Sequence, residues 1–297
     1  MRTRSLGPFT VSAIGLGAMP MSMTHDGTAT PESQAIATIH AALDAGVTLI
    51  DTADAYAPSW DSTGHNERLI AKALKSYGGD TDGVVIATKA GVVRSEGEQW
   101  SFDASLGYLR GAVERSLRAL GTDVIDLYQW HVPDQRIPYA EGVENFKRLV
   151  EEGKVRAVGI SNASVEQIEI ALEVLGAGGL VSVQNEFSPK ARGNEDTLAF
   201  CAKHDIAFLP YQPLGGTDGS GRAVGARFPM FAQVGRDHGV SAQQVALAWE
   251  LAASPVVIPI PGARRPESIA DSVKAAELAL SQEELQALTD SLDQRPA

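Results

Sequence analysis

A single cysteine in 297 residues, Cys201, rules out any internal disulfide. Its neighbours Leu198, Phe200 and Ala202 give it a helical apolar setting, so a core thiol is expected rather than a nucleophile. No run approaches the roughly 20 apolar residues of a membrane span, and Met1-Arg2-Thr3-Arg4 leads into no signal-type apolar core. A cytoplasmic protein with no membrane partner is the expectation. Basic stripes are missing as well. The net charge is −12 and no basic run is longer than Arg264-Arg265, which argues against a nucleic-acid partner. There is no G-x-G-x-x-G fingerprint and no Walker lysine. None of the six histidines forms a helical pair at metal-ligand spacing, so no metal site is expected. Linkers, internal repeats and low-complexity tracts are also absent. With 44% hydrophobic and 21% charged residues the chain has material for a sizeable core, and one domain over residues 1–297 is expected.

What is present is an alternation of extended apolar runs with helical periodicity, the pattern of repeated βα units. Candidate strands lie at Ile14-Gly15-Leu16-Gly17, Val47-Thr48-Leu49-Ile50, Val84-Val85-Ile86-Ala87-Thr88 and Val124-Ile125-Asp126-Leu127-Tyr128-Gln129-Trp130. Four more follow at Val155-Arg156-Ala157-Val158-Gly159-Ile160, Leu180-Val181-Ser182-Val183-Gln184, Ile206-Ala207-Phe208-Leu209-Pro210 and Val256-Val257-Ile258-Pro259. Eight is the number that closes a (β/α)8 TIM barrel. Thr30-Pro31-Glu32 reads as an N-cap followed by proline at the first helical position. Ser164 with Gln167, Ser241 with Gln244 and Ser281 with Glu284 have capping-box spacing. Gly46, Gly121 and Gly153 mark helix ends. Residues 3–11, with Gly7-Pro8 inside, predict a short hairpin that plugs the bottom of the barrel. Residues 91–105 and 214–228 read as long irregular loops at the C-terminal face, the kind that bind or cover ligands.

Four polar residues stand at or beyond the ends of these apolar runs: Asp51, Tyr56, Lys89 and His131. In a barrel of parallel strands such ends converge on the face where active sites are built. Tyrosine has an ordinary pKa near ~10. A lysine ammonium beside the phenol lowers it, and a carboxylate beside the lysine keeps that lysine charged and oriented. His131 would contact the reacting oxygen from the far side, for orientation and proton transfer. Such a set suits protonation of a carbonyl oxygen while hydride reaches its carbon, and hydride must come from a cofactor. Taken singly, Asp51 also reads as a helix cap, Lys89 as a solvated charge, His131 as a core histidine and Tyr56 as packing. The joint arrangement is what points to catalysis.

The segment Asp51-Thr52-Ala53-Asp54-Ala55-Tyr56 resembles the aldo-keto reductase signature, and Leu127-Tyr128-Gln129-Trp130-His131 resembles that family's histidine strand. The stretch from Glu151-Glu152-Gly153-Lys154 through Gly159-Ile160-Ser161-Asn162, then Gln184-Asn185-Glu186-Phe187-Ser188 and Tyr211-Gln212-Pro213-Leu214-Gly215, resembles its later blocks in the same order. The resemblance implies a metal-free barrel that interconverts a small-molecule aldehyde or ketone and its alcohol with NADPH in preference to NADH. It implies Tyr56 as general acid, Asp51 and Lys89 as the pair that tunes it, and His131 orienting the carbonyl. Ser161, Asn162 and Gln184 would hold the nicotinamide carboxamide and Tyr211 would stack on the ring. Gln212, which replaces a common serine, Leu214 and Gly215 would also contact the cofactor, and Gly215, Gly216, Gly219 and Gly221 would form a flexible loop over the diphosphate.

At the adenosine end the resemblance places Gly262, Arg264, Arg265 and Asp271, with the two arginines suited to a 2′-phosphate. Gly262 and Ser268 stand where well-studied members carry lysine and arginine, and Asp271-Ser272 replaces a Glu-Asn pair. For substrate, Met19, Trp60 and Trp130, with Trp100 and Met21, are expected to line an apolar mouth above Tyr56. Trp130 leads because it adjoins His131. Arg94, Glu96 and Glu98 are expected to meet a polar substrate. Two other readings stay open: a regulatory subunit that binds NADPH with little turnover, and a lyase that uses Lys89 as a Schiff-base nucleophile. Monomer and homo-oligomer are both compatible with the sequence.

Overall fold

The computed structural model describes residues 1–23, 28–216 and 220–293. Its first element is an antiparallel hairpin of β1 (Thr3–Leu6) and β2 (Phe9–Ser12) that turns on Gly7 at φ 56°. A Cβ on Gly7 would lie 2.4 Å from Val181 Cγ1, so the turn presses on the barrel floor where only glycine fits. Leu6 and Val11 are completely buried among the inward-facing barrel residues, each worth ~1.5–3 kcal/mol of apolar burial. The hairpin is the plug expected from residues 3–11.

Seven strands then pair in parallel, because each is followed by a helix that carries the chain back. They are β3 (Leu16–Gly17), β4 (Leu49–Asp51), β5 (Val85–Ala90) and, after a second hairpin of β6 (Val92–Ser95) and β7 (Gln99–Phe102), β8 (Ile125–Trp130), β9 (Val155–Ser161), β10 (Leu180–Gln184) and β11 (Ala207–Phe208). The sheet runs β3-β4-β5-β8-β9-β10-β11. The eighth barrel position, expected at Val256-Val257-Ile258-Pro259, holds no regular strand, since Pro259 and Pro261 have no N–H to give. It closes the ring nonetheless. Phe208 N donates to Val256 O and Ile258 N to Phe208 O, both at 2.9 Å. On the other side Gly15 N donates to Pro259 O at 2.9 Å and Gly17 N to Pro261 O at 3.0 Å. The result is the (β/α)8 barrel.

The helices are α1 (Met19–Ser22), α2 (Glu32–Asp44), α3 (His65–Ser76), α4 (Leu106–Leu120), α5 (Tyr139–Glu151), α6 (Val165–Leu175), α7 (Glu195–Lys203), α8 (Val224–Arg227), α9 (Pro229–His238), α10 (Ala242–Ala253), α11 (Pro266–Ser272) and α12 (Gln282–Asp293). Ser164 with Gln167 and Ser281 with Glu284 make reciprocal capping boxes. Ser241 accepts from Gln244 N, but the Gln244 side chain bonds Asp271 instead of returning, so that box is half made. Thr30 is no cap at all: Pro31 holds the N-cap position of α2, while the Thr30 hydroxyl donates to Pro20 O and accepts from Arg264 Nε. Tertiary partners outcompeted the local bond. Residues 91–105, expected to be irregular, are built around β6 and β7. Cys201 is fully buried in the core, and burial pushes its thiol up to about 12. Among the described residues no helix is long and apolar enough to cross a membrane.

Candidate active site

Strand parity builds the site. Leu49, Val85, Ala87, Leu127 and Ala157 face the barrel interior, and because successive side chains alternate, the same faces continue as Asp51, Lys89, Gln129, Gly159 and Ser161. His131, two residues beyond Gln129, follows the same parity. Tyr56 comes from the loop after β4, whose chain is held across the barrel mouth by Thr52 N to Ala87 O at 2.8 Å and Asp54 N to Lys89 O at 3.2 Å. The structure thus brings Asp51, Tyr56, Lys89 and His131 together.

Lys89 is fully buried and its ammonium has three N–H groups, each with a use. Nζ donates to Asp51 Oδ1 at 2.5 Å, to Thr52 O at 2.7 Å and to Tyr56 Oη at 3.4 Å. Asp51 Oδ2 accepts from Gln184 Nε2 at 2.8 Å and Gln129 Nε2 at 3.2 Å. Gln129 Oε1 in turn accepts from Ser182 Oγ at 3.4 Å. Lys89, Gln129, Gly159 and Ser182 are register partners across four strands, so this polar layer lies directly under the mouth. Gly159 makes room for it: a Cβ there would come 2.2 Å from Ser182 Oγ and 2.9 Å from Gln129 Cγ. Gln129 and Ser182 were not singled out from sequence, although their inward parity was the available signal.

Burial pushes the Tyr56 phenol above its ordinary value; Lys89 pulls it down by charge and hydrogen bond, while Asp51 pushes it up. The expected lowering by lysine is therefore present but outweighed by desolvation. Burial pulls the Lys89 ammonium down, yet Asp51 and Tyr56 together hold it above the ordinary lysine value, so it stays charged near neutrality. Burial and the charge of Lys89 hold His131 at about 3. Its ring is neutral near pH 7 and stands edge-on to Tyr56, centroids 5.6 Å apart, with Nδ1 buried and without a partner. Burial and the Lys89 charge thus favour the neutral ring over the imidazolium.

A cleft of about 990 Å³ opens above this set. Ser161, Asn162, Gln184 and Tyr211 line it beside Tyr56 and His131. Ser161 Oγ donates to Gln184 O at 2.8 Å, Asn162 Nδ2 donates to His131 O at 3.0 Å, and Tyr211 Oη donates to Asn162 Oδ1 at 2.8 Å. Asn162 takes a left-handed backbone, φ 58°, to reach these partners. The same wall includes Gln212, Leu214, Gly216, Gly221 and Gly262, together with Arg222, Arg264, Arg265 and Asp271. Arg222 was missed from sequence. Gly215 is not in the wall; it is buried, with its carbonyl accepting from Lys190 Nζ at 3.3 Å. Gly219 lies outside the described residues. Arg264 Nε donates to Thr30 Oγ1 at 2.9 Å, and Asp271 accepts from Ser241 Oγ at 2.6 Å and Gln244 Nε2 at 2.5 Å. Among the described residues no cluster of three His, Cys, Asp or Glu side chains is placed to hold a metal.

The substrate expectations need correction. Met19 and Trp100 line the cleft, joined by Phe102. Trp130 does not: adjacent strand residues point to opposite faces, so next to inward His131 it faces outward and stacks on Tyr139 and Phe146 of α5, centroids 4.7 and 6.1 Å away. Met21 is buried in the core between barrel and helices. Trp60 sits outside the cleft wall, its backbone N donating to Glu98 Oε1 at 3.0 Å. Arg94 is not offered to a polar substrate either, because its side chain is buried against backbone carbonyls.

Three comparisons bear on this geometry. The family model described as "Aldo/keto reductase family" matches residues 13–293. An uncharacterised oxidoreductase of Schizosaccharomyces pombe is 34% identical over 284 residues, 95% of this chain and 87% of that protein. Among solved structures, a glycerol dehydrogenase from Gluconobacter oxydans superposes with TM-score 0.84 at 28% identity, covering 99% of this chain and 97% of that one. An aldo/keto reductase from Klebsiella pneumoniae, in complex with NADP and acetate, superposes with TM-score 0.81 at 30% identity and the same coverage.

Proposed function

This chain belongs to the aldo/keto reductase family and is an NAD(P)H-dependent oxidoreductase, and on that premise we propose that it reduces an aldehyde or ketone reversibly, with Tyr56 giving the proton. The observation that carries the proposal is the saturated Lys89 ammonium, tied to Asp51 and Thr52 with its third N–H on Tyr56 Oη. Burial keeps Tyr56 in the phenol form, the one with a proton to give. Once the proton has moved to the carbonyl oxygen, Lys89 faces the resulting phenolate and stabilises it in a site shielded from water. Neutral His131 offers one N–H and one lone pair at the same mouth, enough to orient a carbonyl oxygen towards Tyr56. Because Lys89 is charged and its donors are committed, it is poorly set up as a Schiff-base nucleophile, which needs a free neutral amine.

The cleft is far larger than a small carbonyl needs, and its lining supplies both an amide-reading set and a group of arginines, the two kinds of contact a nicotinamide dinucleotide calls for. Gln184 spends its amide N–H groups on Asp51 and Gln129, which leaves Oε1 to accept from a carboxamide; Ser161 and Asn162 stand beside it, and Tyr211 offers a ring to cover a flat heterocycle. When bound, the cofactor supplies the hydride. Arg264, whose Nε is committed to Thr30 and whose terminal nitrogens have no partner among the described residues, supports with Arg222 and Arg265 a phosphate-bearing adenosine and hence NADPH over NADH.

The test is NADPH oxidation by wild type and Tyr56→Phe over aromatic aldehydes, dicarbonyls, pyridoxal and keto sugars. We expect turnover to fall by roughly 10²-fold or more with NADPH binding retained. Unchanged turnover would remove Tyr56 from its role. Tight NADPH binding without turnover in either protein would favour the regulatory reading, and a KM for NADH at or below that for NADPH would sink the cofactor preference.

A further inference from the structure

The hairpin of β6 and β7 leaves a feature that the proton-transfer set does not explain. Its register pairs Val92 with Phe102 and Arg94 with Trp100, so these four side chains share one face of the hairpin. Val92, Trp100 and Phe102 line the cleft. Trp100 is 50% exposed and Phe102 39%, two adjacent aromatics presented to the cavity. Arg94 lies beneath them with a side chain only 4% exposed. Its guanidinium carbon is 4.7 Å from the Trp100 ring centroid. Nη1 donates to Ala57 O at 2.6 Å and to Ala55 O at 3.3 Å, the two carbonyls that bracket Tyr56. Nη2 donates to Glu98 at the hairpin tip, and the other Glu98 oxygen accepts from Trp60 N at 3.0 Å. At the base, Arg136 donates to Phe102 O and to Asp134, and Asp103 N donates to Gly91 O at 2.9 Å. Fixed at tip and base, the hairpin is a wall.

Resting on the carbonyl-reductase reading, we propose that Arg94 is a positioning residue that locks this aromatic wall to the Tyr56 loop, and that the wall takes carbonyl substrates whose non-reacting part is a flat apolar group. The guanidinium touches both parts at once: its face carries the Trp100 ring and its edge holds the backbone on either side of Tyr56. A planar fork of five donors does this, whereas a lysine ammonium reaches fewer acceptors and offers no flat face. An aryl group lying on Trp100 and Phe102 buries apolar surface on both sides of the contact and gains ring-to-ring attraction. A polyhydroxylated carbonyl at the same place would give up water to two rings that return few hydrogen bonds. The same cation that supports the substrate wall therefore sets where the Tyr56 hydroxyl points.

The experiment compares wild type, Arg94→Met, Arg94→Lys, Trp100→Ala and Tyr56→Phe, measuring kcat and KM for benzaldehyde and for glyceraldehyde with NADPH. Rates are expressed per NADPH-binding site titrated by nucleotide fluorescence, so that misfolded protein does not count. We expect Arg94→Met to lower kcat at least tenfold for both aldehydes with the NADPH Kd within twofold of wild type, and Arg94→Lys to recover part of that loss. Trp100→Ala is expected to raise KM for benzaldehyde about tenfold and for glyceraldehyde less than twofold. Unchanged kcat per site in Arg94→Met, in an enzyme that Tyr56→Phe silences, overturns the positioning role alone. An equal KM change for both aldehydes in Trp100→Ala overturns the substrate class. Absence of turnover in wild type with both aldehydes while a dicarbonyl, pyridoxal or a keto sugar is reduced overturns the substrate class; absence of turnover with every one of these carbonyls overturns the reductase reading and this inference with it.

Discussion

Replacing Lys89 with methionine keeps the apolar stem and removes the ammonium, and its cost follows from what is left behind. The Lys89–Asp51 pair is 2.5 Å apart with side chains 0% and 4% exposed. Without Lys89 the Asp51 carboxylate keeps only its two glutamine donors, and Thr52 O loses its partner. Breaking a buried pair by removing one member costs ~3–5 kcal/mol, and an orphaned carbonyl adds ~1–3 kcal/mol. We therefore expect Lys89→Met to lose at least about 3 kcal/mol in urea denaturation followed by tryptophan fluorescence at pH 7. Because the native lysine is held above its ordinary value, its stabilisation is complete below that ordinary value and is lost only as pH rises through the native one; pH 7 samples it in full. The double variant Asp51→Asn/Lys89→Met removes the buried charge as well, while an asparagine oxygen still accepts from Gln129 and Gln184. It should be more stable than Lys89→Met by ~2–4 kcal/mol. Neither variant should reduce aldehydes at more than about 1% of the wild-type rate, since no cation faces the phenolate. A Lys89→Met protein within about 1 kcal/mol of wild type, or a double variant no more stable than the single, would refute the reasoning.

Two further tests address the framework around the site. Glu250 in α10 is fully buried, neither carboxyl oxygen has a partner among the described residues, and burial pushes its pKa well above the carboxylate range. The native state thus holds Glu250 protonated while the unfolded chain ionises, so stability falls as pH rises from the ordinary glutamate range towards the native value, by at most ~1.4 kcal/mol per unit. Glu250→Gln has no such titration, so its advantage over wild type should widen between pH 5 and pH 7; a constant difference would contradict this. Gly159→Ala should cost ~1–3 kcal/mol through overlap with Ser182 Oγ and Gln129 Cγ. It should also lower kcat by loosening the layer that holds Asp51, and Ser182→Ala added to it should restore part of the stability. Equal denaturation midpoints for Gly159→Ala and wild type would show that the layer has slack.

Much of the architecture was legible because barrel strands are short and apolar, and their alternation with amphipathic helices leaves few topologies. The placing of Asp51, Lys89 and His131 at strand ends was readable for the same reason, and the motif around Tyr56 placed it in the following loop. Errors arose where a residue's partner is distant in sequence. Thr30 has the form of a helix cap, but Pro20 and Arg264 were available to it in space. Trp130 adjoins His131 in the chain and faces the opposite side of the strand. Arg94 reads from sequence as a contact for a polar substrate because nothing local shows that Ala55 O and Ala57 O come within its reach. Within residues 91–105 only Gln99-Trp100-Ser101-Phe102 alternates, and the contacts that fix the hairpin, Arg94 to Ala57 O and Arg136 to Phe102 O and Asp134, join it to distant parts of the chain.

The sequence by itself determined the barrel, the inward parity of each strand and the polar residues that parity delivers to the mouth, because backbone geometry and apolar patterning act over a few residues. Only the tertiary structure decided that Gln129 and Gln184 share Asp51, that burial outweighs Lys89 at Tyr56, and that Arg94 joins the aromatic wall to the Tyr56 loop. Desolvation and hydrogen-bond direction depend on atoms brought together from across the chain, and they take definite values only once the ring of strands has closed.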